Sequence, residues 1–367
     1  MQQKRVLIAP LDWGLGHATR CIPLIQSLTA NGCEVLIAAS GNIASLLQQE
    51  FPNLTVIPLK GYQISYSRRK FWLPLRLLGQ LPSLMRTVYH EHRWLKKTVQ
   101  QYKIDAVISD NRLGLYHPNL PTVYITHQLA IQTGTRFFNW LVQKMHYWFI
   151  NRYKECWVPD AATTPNLAGI LSHPQRMPQV PMQYLGPLSR MQKKEESTVL
   201  YDLVLLLSGP APQRSIFETI LLRQLAHFPC KALLVRGLPG SDQPMPPLPD
   251  HVKAVNHLPA TELNQALQQA DCVICRSGYT TVMDLIQLGK KAILVPTPGQ
   301  TEQEYLGEYL QQQGLFYSIP QQAFNLQEAL EKATSYNPTT FVLKTDAHQQ
   351  IVSDWVQNLH TTSPGVT

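Results

Sequence analysis

Residues 271–296, DCVICRSGYTTVMDLIQLGKKAILVP, have the pattern of a strand, a Ser-Gly turn, a helix and a second strand. The runs CVIC and AILVP are short and apolar, whereas the segment between them has the residue types and length of a helix. A helix that crosses between two such strands brings them together in parallel. The stretch therefore predicts a βαβ unit of an α/β sheet.

The same alternation runs along most of the chain. Its 367 residues, 44% of them hydrophobic, are too many for one ordinary core and suit two α/β domains. A proline-rich stretch at 173–187 interrupts the pattern, which restarts near residue 202. We expect two Rossmann-like domains, residues 1–187 and 188–344, and a last helix at about 345–360 that packs back on the first domain.

The individual elements follow from the same patterns. Strands are predicted at 5–9, 34–39, 54–58, 105–109, 122–126 and 155–158 in the first half, and at 202–207, 231–236, 251–256, 272–275, 291–296 and 315–319 in the second. Helices are predicted at about 18–30, 136–153, 214–227, 261–270, 280–288 and 302–313.

Composition narrows the classes of partner. A net charge of +8 favours an anionic partner, and the absence of a recognisable nucleic-acid-binding motif disfavours DNA and RNA. The start, MQQKRVLIAP, leads directly into a strand, and no apolar stretch of 18 residues follows, so we expect a cytoplasmic protein with reduced thiols. Cys272 and Cys275 form one C-x-x-C inside a buried strand, which indicates packing rather than metal or redox chemistry.

The first candidate site follows the strand RVLIAP, where LDWGLGHATR leads into a helix. Gly14 and Gly16 allow a tight turn close to a ligand, and the helix start offers N–H groups. His17 would lie at the carboxyl end of the sheet, where open α/β folds bind ligands. Its neutral imidazole accepts a proton near pH 7, so His17 is a candidate general base; a helix-capping histidine is the alternative.

Two turns of the second half suit a nucleotide diphosphate. Ser208 and Gly209 offer N–H groups, and Arg214 would add a positive charge. Asp284 lies one helical turn beyond a hydroxyl-rich helix start and could accept two hydrogen bonds from a ribose diol. The residues of that helix start are Ser277, Gly278, Thr280 and Thr281. Taken singly these are helix caps and a dipole-complementary acid, but together they favour a nucleotide site.

The stretch SGYTTVMDLIQLGKKAILVPTPGQTEQEYLGEYLQQQGL, residues 277–315, resembles the donor site of the MurG family of N-acetylglucosaminyltransferases, which have the GT-B fold of two Rossmann-like domains. GLGHATRCIP, residues 14–23, is similar to the glycine-rich loop of the same family. SGPAPQR replaces a glycine-rich diphosphate loop, and the first loop is one glycine short. These two differences indicate a relative of the peptidoglycan enzyme rather than that enzyme itself.

The resemblance implies roles for particular residues. Arg190 corresponds to a basic residue at the donor diphosphate, and the backbone at Leu258 to the part that recognises uracil. Asp284 stands where the family has a ribose-binding glutamate. Gln303 and Glu304 stand where it has two glutamines that hold the hydroxyls of the donor sugar. His17 corresponds to the histidine of the first loop, and His127 to a histidine near the acceptor cleft.

The function implied is an inverting transfer from a UDP-sugar, possible donors including UDP-N-acetylglucosamine, to a lipid-linked or glycan acceptor. No metal or other cofactor is expected, because the chain has no Asp-x-Asp motif and the family uses helix dipoles at the diphosphate. A nucleotide-sugar hydrolase with a GLGH-x-x-R loop is the alternative, and Arg20 fits it equally well. A non-enzymatic two-domain binder is a third reading. The aromatic and aliphatic residues of 66–97 favour an acceptor cleft, and so a transferase.

Residues 68–97 hold eight basic residues against the single acid Glu91. Pro74 and Pro82 are expected to break this segment into short pieces that cannot span a bilayer. We predict a peripheral membrane patch in which apolar side chains enter the interface and basic ones meet anionic headgroups on the cytoplasmic side. The apolar residues are Phe71, Trp72, Leu75 and Leu78, and the basic residues are Arg68, Arg69, Lys70 and Arg76. Simple coverage of the core is the alternative.

Overall fold

The computed structural model describes residues 3–62, 73–131, 136–194, 198–240, 243–340 and 343–361, without the side chains of 73–81, 136 and 340. The chain divides into two compact units. The first comprises Met1–Ser189 with Leu343–Thr367, and the second comprises Arg190–Val342.

The first unit contains strands β1 to β7 and helices α1 to α4. The strands are β1 (Arg5–Pro10), β2 (Glu34–Ala39), β3 (Thr55–Pro58), β4 (Ala106–Asp110), β5 (Thr122–Ile125), β6 (Glu155–Val158) and β7 (Met182–Tyr184). The helices are α1 (Leu15–Ala30), α2 (Gly41–Glu50), α3 (Leu73–Tyr102) and α4 (Arg136–Ile150).

The second unit contains strands β8 to β13 and helices α5 to α9. The strands are β8 (Tyr201–Leu206), β9 (Ala232–Val235), β10 (Val252–Val255), β11 (Ala270–Cys275), β12 (Ala292–Leu294) and β13 (Tyr317–Ser318). The helices are α5 (Gln213–Leu225), α6 (Ala260–Gln268), α7 (Tyr279–Leu288), α8 (Thr301–Gln312) and α9 (Leu326–Ala333). The last helix, α10 (Ala347–Thr361), belongs to the first unit.

Both sheets are parallel, and each reverses its strand order once. The first has the order β3-β2-β1-β4-β5-β6-β7, and the second has the order β10-β9-β8-β11-β12-β13. The reversals fall between β1 and β4, where Pro10 pairs with Asp110, and between β8 and β11, where Leu206 pairs with Cys275. Open α/β sheets bind ligands at such switch points, beyond the carboxyl ends of the strands.

The sheets are covered by helices, which explains the continuous apolar strands. Leu7, Leu36 and Val107 are buried against α3 in the first unit, and Leu205 and Phe217 belong to the core of the second. Helix α10 covers the first sheet through Trp355, whose ring meets that of Trp157 edge-on at 5.4 Å between centroids. The predicted class of two Rossmann-like α/β units is confirmed.

The structure differs from the predicted elements at several places. Helix α1 begins at Leu15 rather than near residue 18, so His17 lies in its first turn. Strand β7 lies inside the proline-rich stretch, and helices α2, α3 and α9 were not predicted. These elements are short or carry weak patterns, except α3, whose prolines suggested breaks.

The prediction that Pro74 and Pro82 break the segment into short pieces is wrong. Helix α3 is continuous from Leu73 to Tyr102 and contains Pro82. Pro74 falls in the first turn, where a missing N–H group is harmless. Pro82 lies in the interior, where its ring removes one hydrogen bond and crowds the preceding turn, but the 30-residue helix continues past it. No helix among the described residues is both long and apolar enough to cross a bilayer.

The predicted membrane patch lies mostly outside the described part of the chain. Residues 68–72, which include Arg68, Arg69, Lys70, Phe71 and Trp72, are not described. The backbone of Leu75, Arg76 and Leu78 belongs to α3, but their side chains are outside the described residues.

Candidate functional site

The first unit presents His17 at the switch point of its sheet. Gly14 precedes α1 with φ +156°, a conformation that side-chain-bearing residues rarely adopt, and a Cβ there would meet no atom within 4 Å. The turn therefore leaves space beside the helix start. His17 lies one position beyond Gly16, in the first helical turn, and Asp110 ends the neighbouring strand β4.

A buried carboxylate holds this part of the site together. Asp110 is fully buried, and its Oδ2 lies 3.1 Å from Nδ1 of His17 and 2.8 Å from Nε of Arg20. Its Oδ1 accepts a further hydrogen bond from Nη2 of Arg20. One guanidinium therefore grips both oxygens, the arrangement that best offsets the desolvation of two buried charges.

These neighbours set the proton states of the site. Burial alone would raise the pKa of Asp110, but the charges and hydrogen bonds of Arg20 and His17 hold it well below its usual range. Burial and the charge of Arg20 lower the pKa of His17, against the opposing effect of Asp110. His17 is therefore neutral near pH 7 beside an ionised Asp110.

The contacts of Nδ1 set the tautomer of His17. Nδ1 lies 3.1 Å from Asp110 Oδ2, which can only accept, and 2.8 Å from Arg20 Nη2, which can only donate. With the Asn111 amide oriented so that its oxygen accepts from Nη2 at 3.0 Å, both hydrogens of Nη2 are used, and Nδ1 donates its proton to Asp110. The lone pair of the neutral ring then lies on Nε2. This geometry suits a general base, which must offer a lone pair to the proton that it removes.

His127 completes the cluster from the end of β5. Its side chain is 5% exposed, and its Nδ1 lies 3.1 Å from Nη1 of Arg20. An arginine only donates, so Nδ1 of His127 is the acceptor in this contact. The structure thus brings together His17 and His127, both singled out in the sequence, and ties them through Arg20 and Asp110.

A second buried ion pair fixes the ends of the central strands. Arg112 donates from Nη1 to Glu91 of α3 at 2.7 Å and from Nε to the carbonyl of Pro10 at 2.9 Å. Tyr62 donates to the other oxygen of Glu91 at 2.5 Å. Because these bonds join α3 to the end of β1 and to the segments after β3 and β4, the backbone that carries Asp110 is firmly held.

In the second unit, the loops after β11 and β12 are tied to the start of α8. Ser277 is fully buried and donates to the carbonyl of Gln303 at 2.7 Å. The side-chain oxygens of Gln303 and Glu304 accept from the N–H groups of Thr297, at 2.9 Å, and Gly299, at 3.0 Å. Gln303 and Glu304 therefore shape the loop between β12 and α8 with one side-chain oxygen each.

Arg276, which was not predicted as a site residue, connects these loops through hydrogen bonds. It is 1% exposed and donates to the carbonyls of Val295, at 3.1 Å, and Gln213, at 2.9 Å, and to the side chain of Gln321, at 2.7 Å. Burial lowers its pKa to about 10, so it keeps its charge at neutral pH. Its hydrogen bonds fix the segments that follow β8, β11 and β12 relative to one another.

Open space lies beside two glycines of the second unit. Gly209 has φ +86°, and a Cβ built on Gly209 or Gly278 would meet no atom within 4 Å. Ser208 is exposed with Gly209, whereas Gly278, Thr280 and Thr281 are half-buried at the start of α7. The two turns follow β8 and β11, so they flank the switch point of the second sheet. Asp284, in the second turn of α7, is 8% exposed.

Arg214 is buried at the start of α5. It is 5% exposed, pairs with Glu218 at 3.2 Å, and donates to the carbonyl of Arg236 at 3.2 Å. Glu218 also accepts from Nε of Arg236 at 2.5 Å, so one carboxylate is shared by two arginines and this cluster keeps a net positive charge. The place of Arg214 at the donor diphosphate stays a prediction.

Arg190 and Leu258 lie in one region of the second unit. The charge of Arg190 contributes to lowering the pKa of His257, after the larger effect of burial, so the two side chains are near each other. Leu258 is partly exposed and lines an open cavity of about 570 Å³. That cavity also reaches Tyr201 at the amino end of β8, so it is not the space at the switch point.

All six cysteines are free and buried. Burial raises the pKa of Cys272 to about 12, so its thiol stays protonated, as expected for a packing residue. Among the described residues, no group of three or more His, Cys, Asp or Glu side chains is placed to hold a metal ion.

Comparison with known proteins agrees with both halves of this description. Residues 248–359 match the glycosyltransferase family 28 C-terminal domain. An uncharacterized glycosyltransferase of Methanosarcina acetivorans is 21% identical over 355 residues, which cover 86% of each chain.

The UDP-N-acetylglucosamine–N-acetylmuramyl-(pentapeptide) pyrophosphoryl-undecaprenol N-acetylglucosamine transferase of Histophilus somni is 32% identical over 145 residues, 36% of this chain and 39% of that enzyme. The crystal structure of Acinetobacter baumannii MurG superposes with a TM-score of 0.55 at 14% identity, covering 97% of this chain and 99% of that one. The protein is a glycosyltransferase with the GT-B fold. Within that class it is MurG-like.

The buried ion pair of the first unit makes a prediction about stability. Asp110→Asn should destabilise the protein at pH 7 by about 3–5 kcal/mol, because Arg20 keeps its buried charge and loses its counter-ion. Folding lowers the pKa of Asp110, so the contribution is present above the unfolded-state pKa of about 3.9 and is lost as the pH falls through the folded value. Urea unfolding at pH 7 and about pH 3.5 should show a smaller difference at the lower pH.

The matched control is Asp105→Asn, because Asp105 directly precedes β4, the strand that ends at Asp110. Asp105 accepts from the N–H of Arg5 at 2.8 Å and lies 3.6 Å from Lys4, with its side chain 37% exposed. Its loss should cost about 1 kcal/mol or less. Equal losses for the two variants, or an Asp110 effect that does not change with pH, would contradict the ion-pair assignment.

Proposed function

We propose that the protein transfers a sugar from a UDP-sugar to an acceptor hydroxyl with inversion and without a metal. The observation that carries the proposal is the open space at the second switch point, where a Cβ built on Gly209 or Gly278 of the two Ser-Gly turns would meet no atom within 4 Å. The choice of uridine is supported by the Histophilus somni relative, whose name gives UDP-N-acetylglucosamine as its donor.

In this proposal the second unit binds the donor. The diphosphate lies beside Gly209 and Gly278, where N–H groups at the starts of α5 and α7 meet its charge, together with Arg190. Asp284 accepts from the ribose hydroxyls, and the backbone at Leu258 recognises uracil. The helix starts and Arg190 offset the negative charge of the leaving diphosphate. The proposed reaction therefore needs no metal and no cofactor beyond the UDP-sugar.

The sugar would be held by the start of α8. Gln303 accepts from the backbone with Oε1, and its Nε2 remains the group that donates to a sugar hydroxyl. Glu304 can only accept, whereas the glutamine at this position in the MurG family can also donate. Because this difference leaves the identity of the sugar open, the proposed donor is a UDP-hexose. UDP-N-acetylglucosamine is the first one to test.

The first unit would supply the base. As the acceptor oxygen bonds to the anomeric carbon, its proton passes to Nε2 of His17, and the bond from that carbon to the diphosphate oxygen breaks with its electron pair. Asp110 steadies the imidazolium that forms, through the 3.1 Å contact at Nδ1. His127, buried behind Arg20, is a positioning residue for this cluster.

A ligand screen tests the donor assignment. UDP and its sugars should raise the melting temperature of the full chain more than GDP, dTDP or ADP and their sugars, because a ligand of the native state stabilises it by RT ln(1 + [L]/Kd). Asp284→Ala should weaken UDP binding by about 1.5–3 kcal/mol, the loss expected for hydrogen bonds to a charged group.

The control for Asp284 is Asp271→Ala, an exposed acid at the amino end of β11 and so at the opposite edge of the same sheet. It should bind UDP as the wild type does. Equal affinities for all three proteins would remove Asp284 from the donor site, and a preference for another nucleotide would overturn the choice of UDP.

We further propose that the acceptor is lipid-linked and that the protein docks on the cytoplasmic face of an anionic membrane. The support is the outer face of α4, where Phe137 is 66%, Trp140 51% and Trp148 49% exposed. With Leu141, also exposed, these residues recur at helical spacing and so share one face. Monomeric proteins rarely expose so many large apolar side chains together.

The charges on that face favour lipid headgroups. Lys144 lies over the ring of Trp140 at 5.4 Å, and Arg152 over that of Trp148 at 3.7 Å. Helix α4 contains no Asp or Glu. Exposed aromatic rings between basic residues suit the interface of an anionic bilayer, where rings sit at headgroup depth and cations meet phosphates.

Flotation with vesicles tests this partner. The protein should float with phosphatidylglycerol vesicles at low salt, less so at high salt, and not with phosphatidylcholine alone. Trp140→Ser with Trp148→Ser should lower the affinity roughly tenfold or more per residue, as expected for lost apolar burial. Ile170→Ser, 53% exposed in the same unit, is the control and should have no effect. A wild-type protein that stays unbound at low salt would favour a soluble glycan acceptor.

A further inference from the structure

Arg20 contacts both partners of the proposed base. It lies three residues after His17 in α1 and is 2% exposed. Its Nη2 is 2.8 Å from Nδ1 of His17, while its Nε and Nη2 both bond Asp110. An aspartate and a histidine can form a hydrogen bond without such a cation. Arg20 therefore adds an electrostatic effect of its own to the pair.

Three charged or titratable side chains of the described residues face His17. Arg20 faces it from α1, Asp110 from the end of β4, and His127 from the end of β5. Cys21 of α1 lies 3.8 Å from Asp110, and burial raises the pKa of its thiol, so it carries no charge. The carboxylate is therefore paired with a full positive charge before His17 gains its own proton.

That pairing has a definite effect on the base. A lone buried carboxylate at 3.1 Å would favour the imidazolium form of His17, whereas a guanidinium at 2.8 Å disfavours it. Because Arg20 lies as close to Nδ1 as Asp110 does, the two effects oppose each other at the same atom. Burial of the ring then favours the neutral form.

The hydrogen-bonding capacity of Arg20 also bears on the tautomer. Nη2 carries two hydrogens, and one is donated to Asp110 Oδ1. With the Asn111 amide oriented so that its nitrogen donates to Thr126 Oγ1 at 2.9 Å, its oxygen accepts from Nη2 at 3.0 Å. Both hydrogens of Nη2 then point to other oxygens, and Nδ1 of His17 is left to donate its proton to Asp110.

We propose that Arg20 sets the proton state of His17, keeping the ring neutral into acidic pH and its lone pair on Nε2. Arg20 is thus a positioning residue that acts through Asp110 and His17 and touches no reacting atom. The proton state belongs to the ligand-free protein. Only its consequence, an active base at lower pH, rests on the proposed function.

Histidine-resolved NMR of the full chain tests the proposal without any substrate. The protein has 12 histidines, and the His17 signals are assigned by their loss in His17→Gln. In the wild type the ¹⁵N signals should show a proton on Nδ1 at neutral pH and a titration midpoint below the ordinary histidine value of about 6.5.

Charge variants give the sign. Arg20→Gln should move the midpoint of His17 upward, because the guanidinium that disfavours the imidazolium is gone, and Arg20→Lys should move it back towards the wild type. Asp110→Asn should move it downward. Arg5→Gln removes a guanidinium of the same unit that pairs with Glu34 at 2.7 Å, and should leave the midpoint unchanged.

Several results would overturn the proposal. It fails if folded Arg20→Gln keeps the wild-type midpoint, or if Arg20→Lys behaves like Arg20→Gln. Should Arg20→Gln not fold, the wild type still decides, since a proton on Nε2 at neutral pH or a midpoint at or above about 6.5 contradicts the assigned role.

Kinetics separate this proposal from the proposed function. If His17 is the base, the acidic limb of the pH profile of kcat/KM should move upward in Arg20→Gln together with the NMR midpoint. An NMR shift with no kinetic shift would keep the effect of Arg20 on His17 and would reject His17 as the base.

Discussion

The first unit depends on one buried ion pair, between Arg20 and Asp110 at the switch point of its sheet. Two charges removed from water are stabilised only when both oxygens and the guanidinium nitrogens have partners, and here the contacts include His17 and His127. The pair works because β1 and β4 are adjacent and in register at Pro10 and Asp110. The same strand ends are fixed by the second ion pair, from Arg112.

The second unit also buries a charged arginine. Arg276, directly after β11, donates to backbone carbonyls and to the side-chain oxygen of Gln321. Each sheet has candidate site residues at its own switch point. In the first, neutral His17 lies beside the ion pair of Arg20 and Asp110, and in the second, open space lies beside Gly209 and Gly278, where we propose that the donor diphosphate binds.

The local patterns of the sequence were enough for the α/β class, most strands and the turns that carry His17 and Ser277. They were not enough for strand order, which depends on contacts about 100 residues apart, such as β1 with β4. Asp110 was missed for that reason, although it ends an apolar strand with the acid of ISD. For Arg214, by contrast, the partner Glu218 stands four residues later on the same helix, so their ion pair could be predicted from local spacing.

The proposed role of His17 as the base of a transfer reaction predicts the behaviour of one variant. His17→Ala should keep the donor affinity of the wild type, measured by calorimetry with UDP, while kcat falls by about 10²–10⁴-fold, the range for loss of a general base. Circular dichroism and the melting temperature confirm that the variant is folded. A folded His17→Ala protein that turns over the sugar donor at the wild-type rate would contradict the role of His17 as the general base.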